Sequence, residues 1–254
     1  VIQPRVIPCL LLKNQGLVKT VKFKDPKYLG DPINIVRIFN DKEVDELVFL
    51  DITATVENRA PQFEVLKNIA SECFIPLGYG GGIRSMDDVR ALLSIGIEKL
   101  ILNTSAVENP SLARTAADYA GSQAVVISMD VRRNLLGKYE VYTRSGQKKT
   151  GLDPVQHAVN MEKMGAGEII INSIDRDGMM QGYDLDLTQK VADAVGIPVV
   201  ACGGAGNLGH LVEAVKVGHA SAAAAGSMFV FQGPLRAVLI NYPAPQELKV
   251  LLEK

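Results

Sequence analysis

Glu46-Leu-Val-Phe-Leu50 returns 122 positions later as Glu168-Ile-Ile-Ile-Asn172. Each run opens on a glutamate and continues through three aliphatic or aromatic residues. The same offset joins Ile75-Pro76 to Ile197-Pro198, Gly81-Gly82 to Gly203-Gly204, and Gly96 to Gly218. One such match is within chance, but four at a single spacing describe a chain of two like halves. The runs between them complete the pattern: RVIPCLL (5–11), ELVFLDI (46–52), IPLGYGG (75–81), KLILN (99–103), AVVISMD (124–130), EIIINSI (168–174), PVVACGG (198–204) and SAAAAGS (221–227). They are almost continuously apolar, as parallel strands covered on both faces by helices should be.

Helical patterns lie between the strands, among them PINIVRIFNDKEV, SMDDVRALLSIG, PSLARTAADYAG, PVQHAVNMEKMG and LTQKVADAVG. Ser85 with Asp88 reads as an N-cap followed by an acid. Gly96, Gly121, Gly165, Gly196 and Gly218 fall where helices should stop. Eight β-then-α units in 254 residues indicate an α/β protein. The expected fold is a single (β/α)8 TIM barrel over residues 1–254 with a two-fold half-barrel repeat, a doubly wound sheet being the alternative. KYEVYTRSGQKKTG (138–151) breaks the rhythm and predicts a hairpin inserted after the fifth strand.

Composition narrows the function. A content of 47% hydrophobic and 22% charged residues is that of an ordinary soluble globular chain. A net charge of -1 lacks the basic excess of a nucleic-acid binder. Three scattered cysteines, Cys9, Cys73 and Cys202, suit buried thiols in a reducing cytoplasm. The expectation is a cytoplasmic protein with no membrane segment and no signal peptide. No cofactor is implied, and no Cys/His cluster has metal-ligand spacing. Gly204-Ala-Gly206-Asn-Leu-Gly209 fits a dinucleotide-binding pattern. It stands late in the chain with no acid ending the next strand, so that reading is rejected.

Barrel active sites sit at the C-terminal ends of the strands. There the glycine turns at 81–82 and 203–204 recur in both halves, and Asn103-Thr104 and Gly226-Ser227 follow one unit later. Glycine lets backbone N–H groups approach an anion closely, although glycines at strand ends also serve simply as turns. The repeat implies two phosphate cups on opposite sides of one mouth. Asp51, Asp130, Asp175 and Asp177 end or follow strands. Asp175 reads as a loop cap. Asp130 ends an apolar run, where an unneeded charge would be costly, and reads as functional. Aligning Arg5–Leu11 with Ala124–Asp130 gives Asp130 a counterpart in Leu11.

The motifs IPCL, DPI, DELVFLDITA, GGGI, NTSAVENPSL, GSQAVV, GAGEI, SIDRDG, GYD and GGAG run in order over about residues 5 to 240. They resemble the cyclase subunit of imidazole glycerol phosphate synthase, of histidine biosynthesis. The resemblance implies a barrel that takes ammonia from a glutaminase partner and cyclises a substrate with two phosphates. It places Asp130 on one of two catalytic aspartates and Leu11 on the other. It assigns Lys19, Asp51, Gly82, Asn103, Thr104, Asp177, Gly178 and Gly204 to the substrate site, and the repeat adds Gly226 and Ser227 to the second phosphate cup. Asn172 and Cys202 stand where the family has small hydroxyl residues. At the opposite end it implies an ammonia gate of Arg5, Glu46, Lys99 and Glu168; a structural ion network would use the same charges. Glu98, beside Lys99, is expected in the glutaminase interface.

The stretch LLLKNQGLVKTVKFKDPKYLGDPIN (10–34) also resembles a divergent paralogue. That paralogue is associated with amidotransferases that convert a sugar acetamido group into an acetamidino group in surface-polysaccharide biosynthesis. An ammonia-delivering barrel serving a third, sugar-amidating protein and a true cyclase are therefore the two readings, with a phosphosugar isomerase third. The chain is not expected to be its own glutaminase. No cysteine lies in a G-x-C-x-G elbow, and His157, His210 and His219 fall in or beside helical stretches.

Overall fold

The computed structural model describes residues 4–253, so residues 1–3 and 254 of the expected domain lie outside the described part. Eight parallel strands close on themselves among these residues. They are β1 (Arg5–Lys13), β2 (Leu47–Asp51), β3 (Leu77–Gly80), β4 (Lys99–Leu102), β5 (Val125–Arg133), β6 (Glu168–Ser173), β7 (Val199–Cys202) and β8 (Ala222–Ala225). Each pairs with the next, and β1 pairs with β8, with Arg5 opposite Ala222. The crossover helices are α1 (Pro32–Asp41), α2 (Phe63–Glu72), α3 (Met86–Ser94), α4 (Ser111–Ala120), α5 (Pro154–Lys163), α6 (Leu185–Ala192), α7 (Leu208–Lys216) and α8 (Pro245–Glu253). This is the (β/α)8 TIM barrel, not the doubly wound sheet.

Alternation along β1 shows how the strands serve two layers. Val6, Leu10 and Leu12 join the large outer core between sheet and helices, with Phe39, Phe49 and Leu66. Ile7 and Cys9 turn inward, where they meet Val48, Ile101, Ile170 and Val200 in a separate cluster inside the barrel. Leu10 and Leu12 therefore pack outward, whereas Leu11 lines the cavity at the mouth.

The repeat extends to the helix caps. Asp31 accepts from the Ile33 and Asn34 amides ahead of Pro32, and Asp153 accepts from the Gln156 amide ahead of Pro154. Ser85 and Asn207, again 122 apart, accept from the Asp88 and His210 amides. Ser85 and Asp88 form the full reciprocal capping box. Of the five expected stop glycines, Gly96, Gly121 and Gly165 have positive φ. Gly196 and Gly218 do not. Gly218 is needed for space, since a Cβ there would lie 2.6 Å from the Ala214 carbonyl oxygen.

Both β1 and β5 run past the barrel rim into antiparallel hairpins. The expected one pairs the end of β5 with Tyr139–Thr143, and that strand with Lys148–Lys149. A second hairpin, Gly16–Val21 against Lys24–Gly30, rises from β1. Its turn places Lys22 and Phe23 at φ 51 and 64, a conformation usually signalled by Asn-Gly or Gly-Gly. The sequence carries no such signal there.

Candidate functional site

All twelve residues assigned to catalysis or substrate line one cavity of about 320 Å³ at the C-terminal mouth: Lys19, Asp51, Gly82, Asn103, Thr104, Asp130, Asn172, Asp177, Gly178, Gly204, Gly226 and Ser227. Leu11, Cys9 and Cys202 line it too. Arg5, Glu46, Lys99 and Glu168, the residues expected to form a gate, lie at the opposite end of the strands.

Strand register fixes the relation between Leu11 and Asp130. Leu11 on β1 stands opposite Leu50 on β2, and Asp130 on β5 stands opposite Asn172 on β6. Leu50 and Asn172 are themselves 122 positions apart, so the two pairs occupy equivalent places in the two halves. One half presents two alkyl groups and the other a carboxyl with an amide.

Asp130 is buried. Its Oδ2 accepts from Asn103 Nδ2 at 3.0 Å and its Oδ1 from Asn172 Nδ2 at 3.2 Å. Burial pushes its pKa up to about 7; the Asn172 amide bond opposes the rise, the Asp177 charge adds to it and the Asn103 bond opposes it. Asp177 is engaged otherwise: Lys19 Nζ donates to it at 2.7 Å and Thr20 Oγ1 at 3.0 Å. Asp51 is bound into the turn that follows β2. It accepts from the Thr53 and Ala54 amides at 3.0 Å each and pairs with Arg59 Nη1 at 2.8 Å. Neither Thr20 nor Arg59 was legible as a site residue; each fastens an aspartate that was.

The glycine turns are conformationally demanding. Gly81 and Gly82 have φ of +125 and +72, and Gly203 and Gly204 have +82 and +119. A Cβ on Gly204 would stand 2.2 Å from the Gly182 carbonyl oxygen, so the close approach itself requires glycine. Ser227 is buried at the cavity with its hydroxyl unpartnered, whereas the Thr104 hydroxyl accepts from the Arg144 amide at 3.0 Å.

At the floor, Arg5 and Lys99 each bridge both glutamates. Lys99 Nζ lies 2.7 Å from Glu46 and 2.6 Å from Glu168, and Arg5 pairs with the same two carboxylates through its two terminal nitrogens. The ring alternates in sign and is closed. Among the described residues no group of three or more His, Cys, Asp or Glu could hold a metal ion. Nor is any described helix long and apolar enough to cross a membrane.

A closed β/α barrel with its pocket at the strand C-termini and a charge-sealed floor is a (β/α)8 TIM barrel by architecture. Residues 5–235 match the family described as histidine biosynthesis protein. A Pseudomonas aeruginosa protein provisionally named imidazole glycerol phosphate synthase subunit hisF2 is 49% identical over 249 residues, 98% of this chain and 99% of that protein. A Vibrio vulnificus protein provisionally named subunit hisF3 is 45% identical over 99% of this chain and 97% of its own length. Imidazole glycerol phosphate synthase subunit HisF of Alkaliphilus metalliredigens is 48% identical over 90% of each chain. The chain belongs to the histidine biosynthesis protein family, in its HisF group.

Proposed function

We propose that this chain is the barrel subunit of a glutamine-dependent amidotransferase. A separate glutaminase docks over Arg5, Glu46, Lys99 and Glu168 and releases ammonia there. The ammonia passes the ring when an ion pair parts, crosses the apolar interior past Ile7, Val48, Ile170 and Val200, and reaches the mouth. There it is delivered to a third protein for amidation of a sugar in surface-polysaccharide biosynthesis. The observation that carries this reading is the Leu11–Leu50 pair standing where the other half has Asp130–Asn172. An alkyl group cannot transfer a proton, and general acid–base help contributes about 10²–10⁴-fold. A conduit needs the ring and the bore but not the second acid.

The second reading, a true cyclase of histidine biosynthesis, is favoured by the assembly of all the other site residues in one pocket and by the name of the Alkaliphilus relative. Its two phosphate cups would be Gly82 with Asn103 and Thr104, and Gly204 with Asp177, Gly178, Gly226 and Ser227. The deciding assay supplies ammonium and the bis-phosphate substrate to the unmutated barrel and follows substrate loss. Turnover well below roughly 1 s⁻¹, the lower end of ordinary enzymes, is expected. Turnover at or above that rate establishes the cyclase. The conduit itself is tested by adding the glutaminase, whose glutamine hydrolysis should respond to the barrel and lose that response with Lys99→Ala.

A further inference from the structure

The hairpin that follows β5 does not stand clear of the barrel. Its turn, Arg144-Ser145-Gly146, is tied down over the mouth at three places. Ser145 Oγ donates to the Ile52 carbonyl oxygen at 2.7 Å, just past β2. The Arg144 amide donates to Thr104 Oγ1 at 3.0 Å, just past β4. Gly146 abuts the hairpin from β1, where an added Cβ would stand 2.9 Å from the Phe23 ring. Arg144 and Ser145 hold φ of 53 and 54, a left-handed conformation that side chains disfavour. Such backbone persists only where its surroundings fix it, and it gathers at ligand clamps.

Four cations line the cavity: Lys13, Lys19, Arg84 and Arg144. Lys19 is committed to Asp177. Of the lining carboxylates, Asp51 and Glu57 are held by Arg59, and Glu108 most closely by Lys148 at 3.2 Å. Arg144 comes no nearer to that Glu108 oxygen than 3.7 Å, through Nε, which is beyond hydrogen-bond distance. Lys13 and Arg84 make no ion pair among the described residues, and Arg84 donates only to the Asn58 carbonyl oxygen. Lys13 ends β1, Arg84 follows β3, and the turn bearing Arg144 is tied to the ends of β2 and β4. The three uncommitted cations therefore stand on one side of the mouth, that of the first half.

We infer that Arg144 is a ligand-binding residue whose guanidinium clamps the phosphate group of a small molecule seated in the mouth, with Lys13 and Arg84 adding charge. The planar fork pairs two phosphate oxygens at once, which a lysine in the same place does not. A phosphate ester is assigned, not a carboxylate, because three cations offer more charge than a monoanion takes up. The clamp lies on the hairpin, apart from the glycine turns of the barrel itself. It rests on phosphate-bearing molecules entering the mouth, as the second reading above requires, but not on the barrel turning them over. Its test reads binding without turnover, so the two fail separately.

Ribose 5-phosphate is titrated calorimetrically into the whole chain near neutral pH, beside ribose and ribonate, a carboxylate of similar size. Ribose 5-phosphate should bind and the other two should bind far more weakly. Arg144→Met should weaken binding roughly tenfold or more, and Arg144→Lys should recover only part of the loss. Lys149→Met, which removes a hairpin cation paired with Glu140, should bind as the parent does. Phenylglyoxal labelling of Arg144, read by mass spectrometry, should slow in saturating ribose 5-phosphate, while labelling of exposed Arg37 should not. The clamp is overturned if the parent does not bind, if folded Arg144→Met binds as tightly as the parent, if ribonate matches ribose 5-phosphate, or if labelling of Arg144 ignores the ligand.

Discussion

At Asp130 two amide donors and burial act in opposite directions, and burial prevails. The consequence is a pH dependence of stability. An ordinary unfolded aspartate titrates near 3.9, whereas Asp130 in the fold titrates at about 7. Between those values the folded state binds the extra proton, so stability falls as pH rises through the window and levels off above it. Asp130→Asn keeps the shape and removes the titration. The stability of this variant relative to the parent should therefore grow from pH 4 to pH 7 and stay constant at higher pH. Urea denaturation at four or five pH values measures it, and a flat difference would show that Asp130 titrates normally. Leu11 raises no such question, since its neighbours Leu50 and Val18 are apolar.

The strands and most helices were legible because the apolar runs, the caps and the offset of 122 agree with one another. Asp130 could be singled out because a carboxylate ending an apolar run needs a reason. The hairpin after β1 was missed because Lys22 and Phe23 occupy turn positions without the residues that announce them. Thr20 was missed because its contact lies across the fold, to Asp177, and Arg59 because nothing in the sequence announces that the loop after β2 folds it back onto Asp51. The glycine turns were read as close approaches to an anion; what the structure shows is close approach to neighbouring backbone, and that can be tested one turn at a time. Gly204→Ala places a methyl 2.2 Å from the Gly182 carbonyl oxygen at a φ of +119. A loss of about 2 kcal/mol or more is expected, from strain and the displaced loop together. Gly137→Ala is the comparison: φ is +75, but no atom lies within 4 Å of the added carbon. It should cost about 1 kcal/mol, and equal losses at the two sites would remove the close-approach argument.

Over the whole molecule, the two halves match in strands, caps, hairpins and glycine turns but differ where chemistry would occur. The floor is where both halves must cooperate, because β1 and β4 supply the cations and β2 and β6 the anions. Glu46 and Glu168 are buried, so each depends on shared cations in place of water. Removing one partner of such a set leaves charge uncompensated, at a cost of about 3 kcal/mol or more. Lys99→Met keeps the length and apolar stem of the side chain and leaves two carboxylates against Arg5 alone. We expect it to lower stability by about 3 kcal/mol. Lys148→Met, which breaks an exposed pair with Glu108, should lie within about 1 kcal/mol of the parent. On the proposed reading, in which the glutaminase docks over the ring, the same Lys99→Met barrel, held below its unfolding transition, should stimulate the glutaminase less than the parent does. If Lys99→Met matched Lys148→Met in both stability and stimulation, the ring would be neither a closure of the floor nor a gate.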